Sequence, residues 1–434
     1  MSTPSGIIEH LRVRLGSKRA LAILVLLHSA VTCLSLIKVA TFQSYIHFSS
    51  EHVWLAFSIA LAFSAVSLLF AISRFSFGYF AGFYFYTMIL GFLWIDVFSE
   101  YSYPRLLAGL SAALSLVLFL LPALFVRAPL RRLVVLSNAR FEHLLTLILA
   151  ISILTIAVAA TYNFRLVSIA HIYDYRDALE FPGVVRYLAA WVSSTLLPFA
   201  FACYWLLGHR WRAVMVLILL LFFYPITLTK FAFFTPAWLI ALVVLSRFLE
   251  TRTSVIASIF VPMLLGLIVI VLTGASLTSP LGKYFDLVNI RMMATPSSAL
   301  DIYNHFFAGH PLTWFCQISV FKPLTYCPYQ EPLAVVMQNT YGFGNLNASL
   351  FATEGVASVG LSLAPLIALA SGFVLALGNR ASAGLPPRFV LISSGVLPHV
   401  LLNVPLSVAL LTHGTAILFL LWYLMPRSLF EPKP

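Results

Sequence analysis

SVIASIFVPMLLGLIVIVLT, residues 254–273, carries no charged side chain. A bilayer's hydrocarbon core is about 30 Å thick and a helix rises about 1.5 Å per residue, so a run of this length is enough to span it. Comparable runs recur near 20–39, 54–73, 78–97, 106–126, 143–161, 187–207, 213–228, 231–247, 351–377, 389–404 and 407–425. Spanning backbone must satisfy its own hydrogen bonds, so the runs are expected to be helices. The fold class is therefore all-α: an integral membrane protein built as a polytopic bundle of about 12 transmembrane helices. A composition of 61% hydrophobic and 9% charged residues, with a mean hydropathy of +0.98, excludes a fold assembled in water. The runs at 213–228, 231–247 and 389–404 are short, which leaves tilted hairpin partners or broken helices open for them.

The first run follows Arg12, Arg14, Lys18 and Arg19. It is longer than a signal-peptide core and no convincing small-x-small cleavage site follows, so a retained helix is expected. Lys and Arg concentrate in loops that fall on one side once the N-terminus is placed inside. The expected organisation is a basic cytoplasmic N-terminus (1–19), one polytopic transmembrane domain (20–425) and a cytoplasmic tail (426–434). The +12 charge is largely this topology signal, and nucleic acid is not needed to explain it.

Two segments on the opposite, outer side are long, 162–186 and 274–350, and long loops in compact domains are usually functional. The second is expected to be a partly helical periplasmic loop, a lid of short helices lying on the membrane face. It contains Lys283, Arg291, Asp301, His305, His310, Lys322 and Glu331 among many aromatics. The first contains Arg165, His171, Tyr173, Asp174, Tyr175, Arg176, Asp177, Glu180 and Arg186. Two readings stand for it: solvated rim ion pairs, or an anion clamp.

Lys230, in TLTKF between two apolar runs, is a cation where one without a purpose is expensive. Glu354 opens the run 351–377, and a carboxylate inside a span is normally paired or functional. Asn347 or Ser349 could cap that helix, whose positive end would favour an anion. His28, His399 and His413 read as hydrogen-bonded histidines of the bundle, with Asn403 one helical turn from His399. Cys33 and Cys203 fall within spans, whereas Cys316 and Cys327 share the long outer loop, where a disulfide is the expected pairing. No Walker loop, HExxH or Cys/His cluster at metal spacing is present. Arg176 sits between Asp174 and Asp177, which favours an ion pair over a metal ion there.

The order of these features resembles the oligosaccharide repeat-unit polymerases, the Wzy-type O-antigen polymerases of bacterial inner membranes. The resemblance rests on YDYRD (173–177) with Arg186 following, the Lys230 hairpin, Arg291, the long outer loop, and GNLN (344–347) leading into EGVASVG (354–360). It implies transfer of a growing glycan from undecaprenyl diphosphate to another lipid-linked repeat unit on the periplasmic face. No cofactor is expected; the partners are membrane lipid, the lipid-linked oligosaccharide and a chain-length regulator. For that task Arg176, Arg186, Lys230 and Arg291 would hold the diphosphate. His310, His305, Glu354 and Asp177 are the candidates for the base that takes the proton of the attacking hydroxyl. Tyr173, Tyr175, Trp314 and Tyr341 could stack on sugars, and Asn347 and His305 join them as substrate contacts. Competing expectations are an O-antigen ligase and a lipid-linked oligosaccharide flippase. A transporter would place its charges near the midplane and show internal repeats; here the charges cluster toward the outer ends, and no convincing repeat stands out.

Overall fold

In lipid each backbone N–H and C=O must find a partner within its own segment, and the apolar runs accordingly fold as helices. The structure is a computed structural model that describes residues 14–168, 171–176, 179–318 and 321–430. The first nine long helices are α1 (Lys18–Ala40), α2 (Val53–Ile72), α3 (Phe77–Phe98), α4 (Arg105–Phe125), α5 (Asn138–Tyr162), α6 (Gly183–Leu206), α7 (Arg210–Thr227), α8 (Lys230–Phe248) and α9 (Thr251–Thr273). Then come α10 (Pro280–Phe285), a π-helical segment (Asp286–Ala294), α11 (Thr295–Gly309), α12 (Leu333–Tyr341) and the tenth long helix, α13 (Phe351–Ala381). Among the described residues, 10 helices are long and apolar enough to cross a membrane, so the chain is a multi-pass, all-helical membrane protein.

Two expectations change. The run at 389–404 takes the broken-helix form left open for it, and the run at 407–425 is not a continuous span either: together they form α14 (Pro387–Ser393), α15 (Leu397–Asn403), α16 (Leu406–Leu411) and α17 (Thr415–Leu424). Pro405 lacks a backbone donor, and Gly414 takes a left-handed conformation (φ 76°), so neither continues a helix. The expected lid is also partly something else. Within 274–350, residues of α11 are buried almost along the whole helix, from Pro296 to Phe307. A helix apolar or small on nearly every face is a core element rather than a surface one.

The described chain divides into two compact units. The first takes the residues up to Val126, Arg252–Ala376 and Leu401–Leu406. Its centre is α3, whose most apolar window is 94% buried, so α3 is ringed by protein rather than lipid. It packs against α1, α2, α4 and α11. Gly91 lets α11 come close to α3: a Cβ there would meet Ser297 Oγ of α11, which donates to Met88 O at 2.8 Å. His28 lies in the same core, with Nε2 2.8 Å from Thr87 Oγ1.

The second unit takes Arg127–Thr251, Leu377–Val400 and the residues from Ser407 onward. In it α6, interrupted by a π-helical segment (Val192–Leu196), packs on α5, α7 and α14, and α7 packs on α8. Thr195 Oγ1 donates to His413 O at 2.8 Å, Ser194 Oγ lies 3.2 Å from His413 Nδ1, and His399 meets Trp238 edge-on at 5.0 Å. These histidines are bundle residues, as expected from the sequence.

Candidate functional site

The helix α3 ends at Phe98, leaving carbonyls without helical partners. Arg105, the first residue of α4, reaches one of them and two in the connection: its Nη1 donates to Val97 O at 3.5 Å, and its Nη2 to Ser99 O at 2.5 Å and to Tyr101 O at 3.1 Å. On the other side, His47 N donates to Phe98 O at 2.8 Å and Glu100 N to Tyr45 O at 3.0 Å. The short connection 99–104 is thereby held from both flanks, and it carries the side chains of the site.

Tyr103 reaches two carboxyl groups from this connection. Its hydroxyl lies 2.7 Å from Asp96 Oδ1, near the end of α3, and within hydrogen-bonding distance of Asp301 Oδ1 on α11. Ser99 Oγ donates to Asp301 Oδ2 at 2.8 Å. Asp301 is fully buried and Asp96 nearly so. Burial pushes the Asp301 carboxyl up to about 6, against the hydrogen bonds from Tyr103 and Ser99; the Asp96 charge adds to the rise. Burial and the two carboxylates raise the Tyr103 hydroxyl well above the ordinary tyrosine range.

An aromatic rim borders this carboxyl pair. Tyr101 stacks on His305 with centroids 4.9 Å apart and on Tyr45 at 6.1 Å. His305, one helical turn beyond Asp301, has Nδ1 2.6 Å from Tyr341 Oη. Burial, with His310 adding to it, lowers the His305 imidazole below its ordinary value, and burial followed by Asp301 pushes Tyr341 up to about 12. Flat aromatic faces beside polar groups suit sugar rings, which offer apolar C–H faces and hydroxyl edges.

His310 follows α11 and stacks on Phe306 at 3.9 Å, with Nδ1 2.7 Å from Phe306 O. A carbonyl only accepts, so Nδ1 carries the hydrogen, and in the neutral ring Nε2 keeps its lone pair. His310 is exposed, and that nitrogen is a proton acceptor on the surface of the unit.

The chain beyond His310 is tied to a break in α13. Gly360 has φ 75°, inside a helix that is π-wound over Phe351–Ala357. The carbonyls opened by the break accept from the next segment: Thr313 N donates to Ala357 O at 2.8 Å and Trp314 N to Ser358 O at 3.1 Å. Trp314 and Phe315 both take left-handed backbone angles, φ 46° and 64°, which cost energy outside glycine. Cys316, the next residue, forms the expected disulfide with Cys327, their Cα atoms 5.2 Å apart.

Glu354 is buried in the π-helical turn, where it accepts from Thr353 Oγ1 at 2.6 Å. Neither Asn347 nor Ser349 caps this helix: the residue before it is Leu350, which makes no side-chain capping bond. Asn347 is exposed, and Ser349 is buried with its hydroxyl 3.4 Å from Met88 Sδ. Arg291 lies in the π segment before α11, 54% exposed, with Nε 3.9 Å from Asp286 Oδ1.

All of these residues belong to the first unit. The remaining candidates belong to the second. Tyr173–Arg176 forms a single helical turn, the side chains of Tyr173 and Arg176 are not described, and Asp177 lies outside the described residues. Tyr175 is exposed beneath the Arg165 guanidinium, 5.5 Å from the ring centroid, and Asp174 pairs with His171 at 3.0 Å. Arg186 is exposed in the first turn of α6. Lys230 is half-buried as the first residue of α8, after a tight turn in which Leu228 is left-handed (φ 47°) and Thr229 Oγ1 caps Ala232 N.

The sequence therefore picked out His305, His310, Glu354 and Tyr341 within the unit that holds the carboxyl pair, and it missed Asp96, Tyr101, Tyr103 and Arg105. Asp96 carried a usable signal, a carboxylate at the end of an apolar run. No protein-family model, curated protein or solved structure matches the chain.

Proposed function

We propose that this chain is a membrane-embedded glycosyltransferase that polymerises undecaprenyl-diphosphate-linked oligosaccharide repeat units on the periplasmic face of a bacterial inner membrane. The observation that carries the reading is the cluster at the ends of α3 and α11. There two buried carboxyl groups bridged by Tyr103 lie beside the Tyr101, His305 and Tyr341 rim. Joining sugars needs a proton acceptor for the attacking hydroxyl and surfaces that hold a sugar ring, and this cluster offers both.

The substrate class comes from the resemblance, and the chemistry of the cations suits it. A diphosphate leaving group needs charge stabilisation as it departs, which guanidinium and ammonium groups supply without a metal ion. Among the described cations of the unit that holds the carboxyl pair, Arg291 is assigned to this role. The disulfide supports the sidedness: it closes a segment that the Lys and Arg distribution assigns to the outer, oxidising face, and these two signals are independent.

The test is glycan laddering on a gel, in cells lacking their own polymerase and complemented with wild type, Arg291→Ala or Asp301→Asn at matched membrane levels. The expected result is a ladder for wild type that collapses to single repeats in the variants. Core lipid without any repeat would replace the polymerase by a ligase or a flippase. Lipid-linked units accumulating on the inner face would then select the flippase.

A further inference from the structure

Tyr103 has one hydroxyl hydrogen, yet its oxygen is within hydrogen-bonding distance of a carboxyl oxygen of both Asp96 and Asp301. A hydroxyl donates once. If both carboxyls were ionised, one contact would set two lone pairs against each other at hydrogen-bond range, inside a buried site where such a contact is most costly. The contacts are satisfied together only when one carboxyl carries a hydrogen and donates it to the tyrosyl oxygen, while the tyrosyl hydrogen goes to the other.

The neighbours do not remove this requirement. Arg105 is a cation whose charge favours the ionised form of Asp301, but its Nη2 is directed at the carbonyls of Ser99 and Tyr101, so it does not supply the hydrogen that the second Tyr103 contact needs. Ser99 gives Asp301 one further hydrogen bond, on Oδ2, and leaves the Oδ1 contact with Tyr103 as it is. Tyr45, Tyr101 and Tyr341 feel the Asp301 charge, which together with burial keeps them neutral phenols, and Glu100 is engaged with His47 at 3.1 Å.

We propose that Asp96, Tyr103 and Asp301 form a proton relay that holds one carboxyl proton between its two acids and accepts one more from the attacking sugar hydroxyl. The first half stands on the geometry of the three residues; the second half rests on the glycosyl-transfer reading. At rest the trio has one carboxylic acid, one carboxylate and a neutral phenol, a net charge of −1. In the transfer the hydroxyl oxygen bonds to the anomeric carbon of the donor, and the bond from that carbon to the diphosphate oxygen breaks, its electron pair leaving with the diphosphate. The hydroxyl proton enters at the tyrosyl oxygen as the tyrosyl hydrogen moves onto the carboxylate, and the trio becomes neutral. Tyr103 is the half-buried member and so the one through which a proton can enter.

The experiment is infrared difference spectroscopy of the full chain in detergent, in H2O and D2O, together with the pH profile of polymerisation. At mildly acidic pH, below the point at which Asp301 gives up its proton, the wild type should show the C=O stretch of a protonated carboxylic acid. That band should disappear in Asp301→Asn, shift in Tyr103→Phe and survive in Glu354→Gln. Because the wild-type band and its D2O shift need no variant, misfolding of a substituted chain leaves the test intact. Absence of such a band in the wild type, or its loss only in Glu354→Gln, overturns the shared proton. For the relay role, Asp96→Asn should slow polymerisation on the order of a hundredfold and move the acid limb of its pH profile. An unmoved limb, with the band present, overturns the acceptor role and leaves the shared proton standing. A wild-type chain without a ladder defeats the glycosyl-transfer reading, and the band still decides the proton.

Discussion

Ser99 and Asp301 stand 202 positions apart in the chain, and the serine hydroxyl donates to the aspartate Oδ2 at 2.8 Å. One hydrogen bond thus joins the connection after α3 to the middle of α11, inside the buried heart of the first unit. Replacing Ser99 with alanine leaves a buried carboxyl oxygen short of a donor. The expected cost is about 1–3 kcal/mol, read as a lowered thermal unfolding midpoint of the purified protein in detergent.

The pH dependence follows from the same carboxyl. Its folded-state value lies near 6, above the ordinary 3.8, because burial favours the neutral acid. Between those values the folded chain holds more protons than the unfolded one. The stability from Asp301 is therefore full below 3.8 and is lost as pH rises through about 6. An unfolding midpoint measured across this window should fall with rising pH in the wild type, and the slope should flatten in Asp301→Asn. A slope that persists unchanged in Asp301→Asn would assign the effect to another group.

Gly91 is the contact point of α3 with α11. An alanine there pushes on Ser297 Oγ, which would have to move away from Met88 O at 2.8 Å and Met293 O at 3.0 Å, the two carbonyls its one hydrogen can reach. Gly91→Ala is expected to destabilise by about 1–3 kcal/mol despite alanine's better helix propensity. Denaturation in a detergent series should show it, and a neutral or stabilised Gly91→Ala would mean that the two helices are free to separate.

The Cys316–Cys327 pair closes a loop of sequence separation 11. Replacing both cysteines with serine removes a constraint worth up to about 3 kcal/mol in the chain-entropy account. The expected consequence is local: faster protease cleavage within 316–327 and little change in the unfolding of the helices. Alkylation with a mass-tagged maleimide, before and after reduction, should show two protected thiols in protein from membranes. Equal labelling without reductant would show the pair to be open.

Much of the first level of organisation could be read directly from the sequence. The apolar runs, the tight turn before Lys230, the buried bundle histidines and the cysteine pair are local or compositional features, and each behaves as its chemistry dictates. The carboxyl pair was not visible in this way. Asp96 sits at the end of an aromatic run that reads as the edge of a span, and Asp301 sits in a segment whose polar residues read as a surface lid. Nothing in either neighbourhood points to the other, because their contact depends on α11 folding into the core beside α3. The breaks within 387–424 were obscured for a related reason: hydropathy averages over proline and glycine, while helix continuity does not.

The sequence by itself determined that the chain lives in lipid and is helical, because bilayer thickness and the need to satisfy backbone hydrogen bonds act on every apolar run independently of the others. Only the tertiary structure decided which polar residues share a site. Asp96, Ser99, Tyr103 and Asp301 gain their chemistry from being buried together, and burial is a property of packing between distant segments that no local pattern encodes.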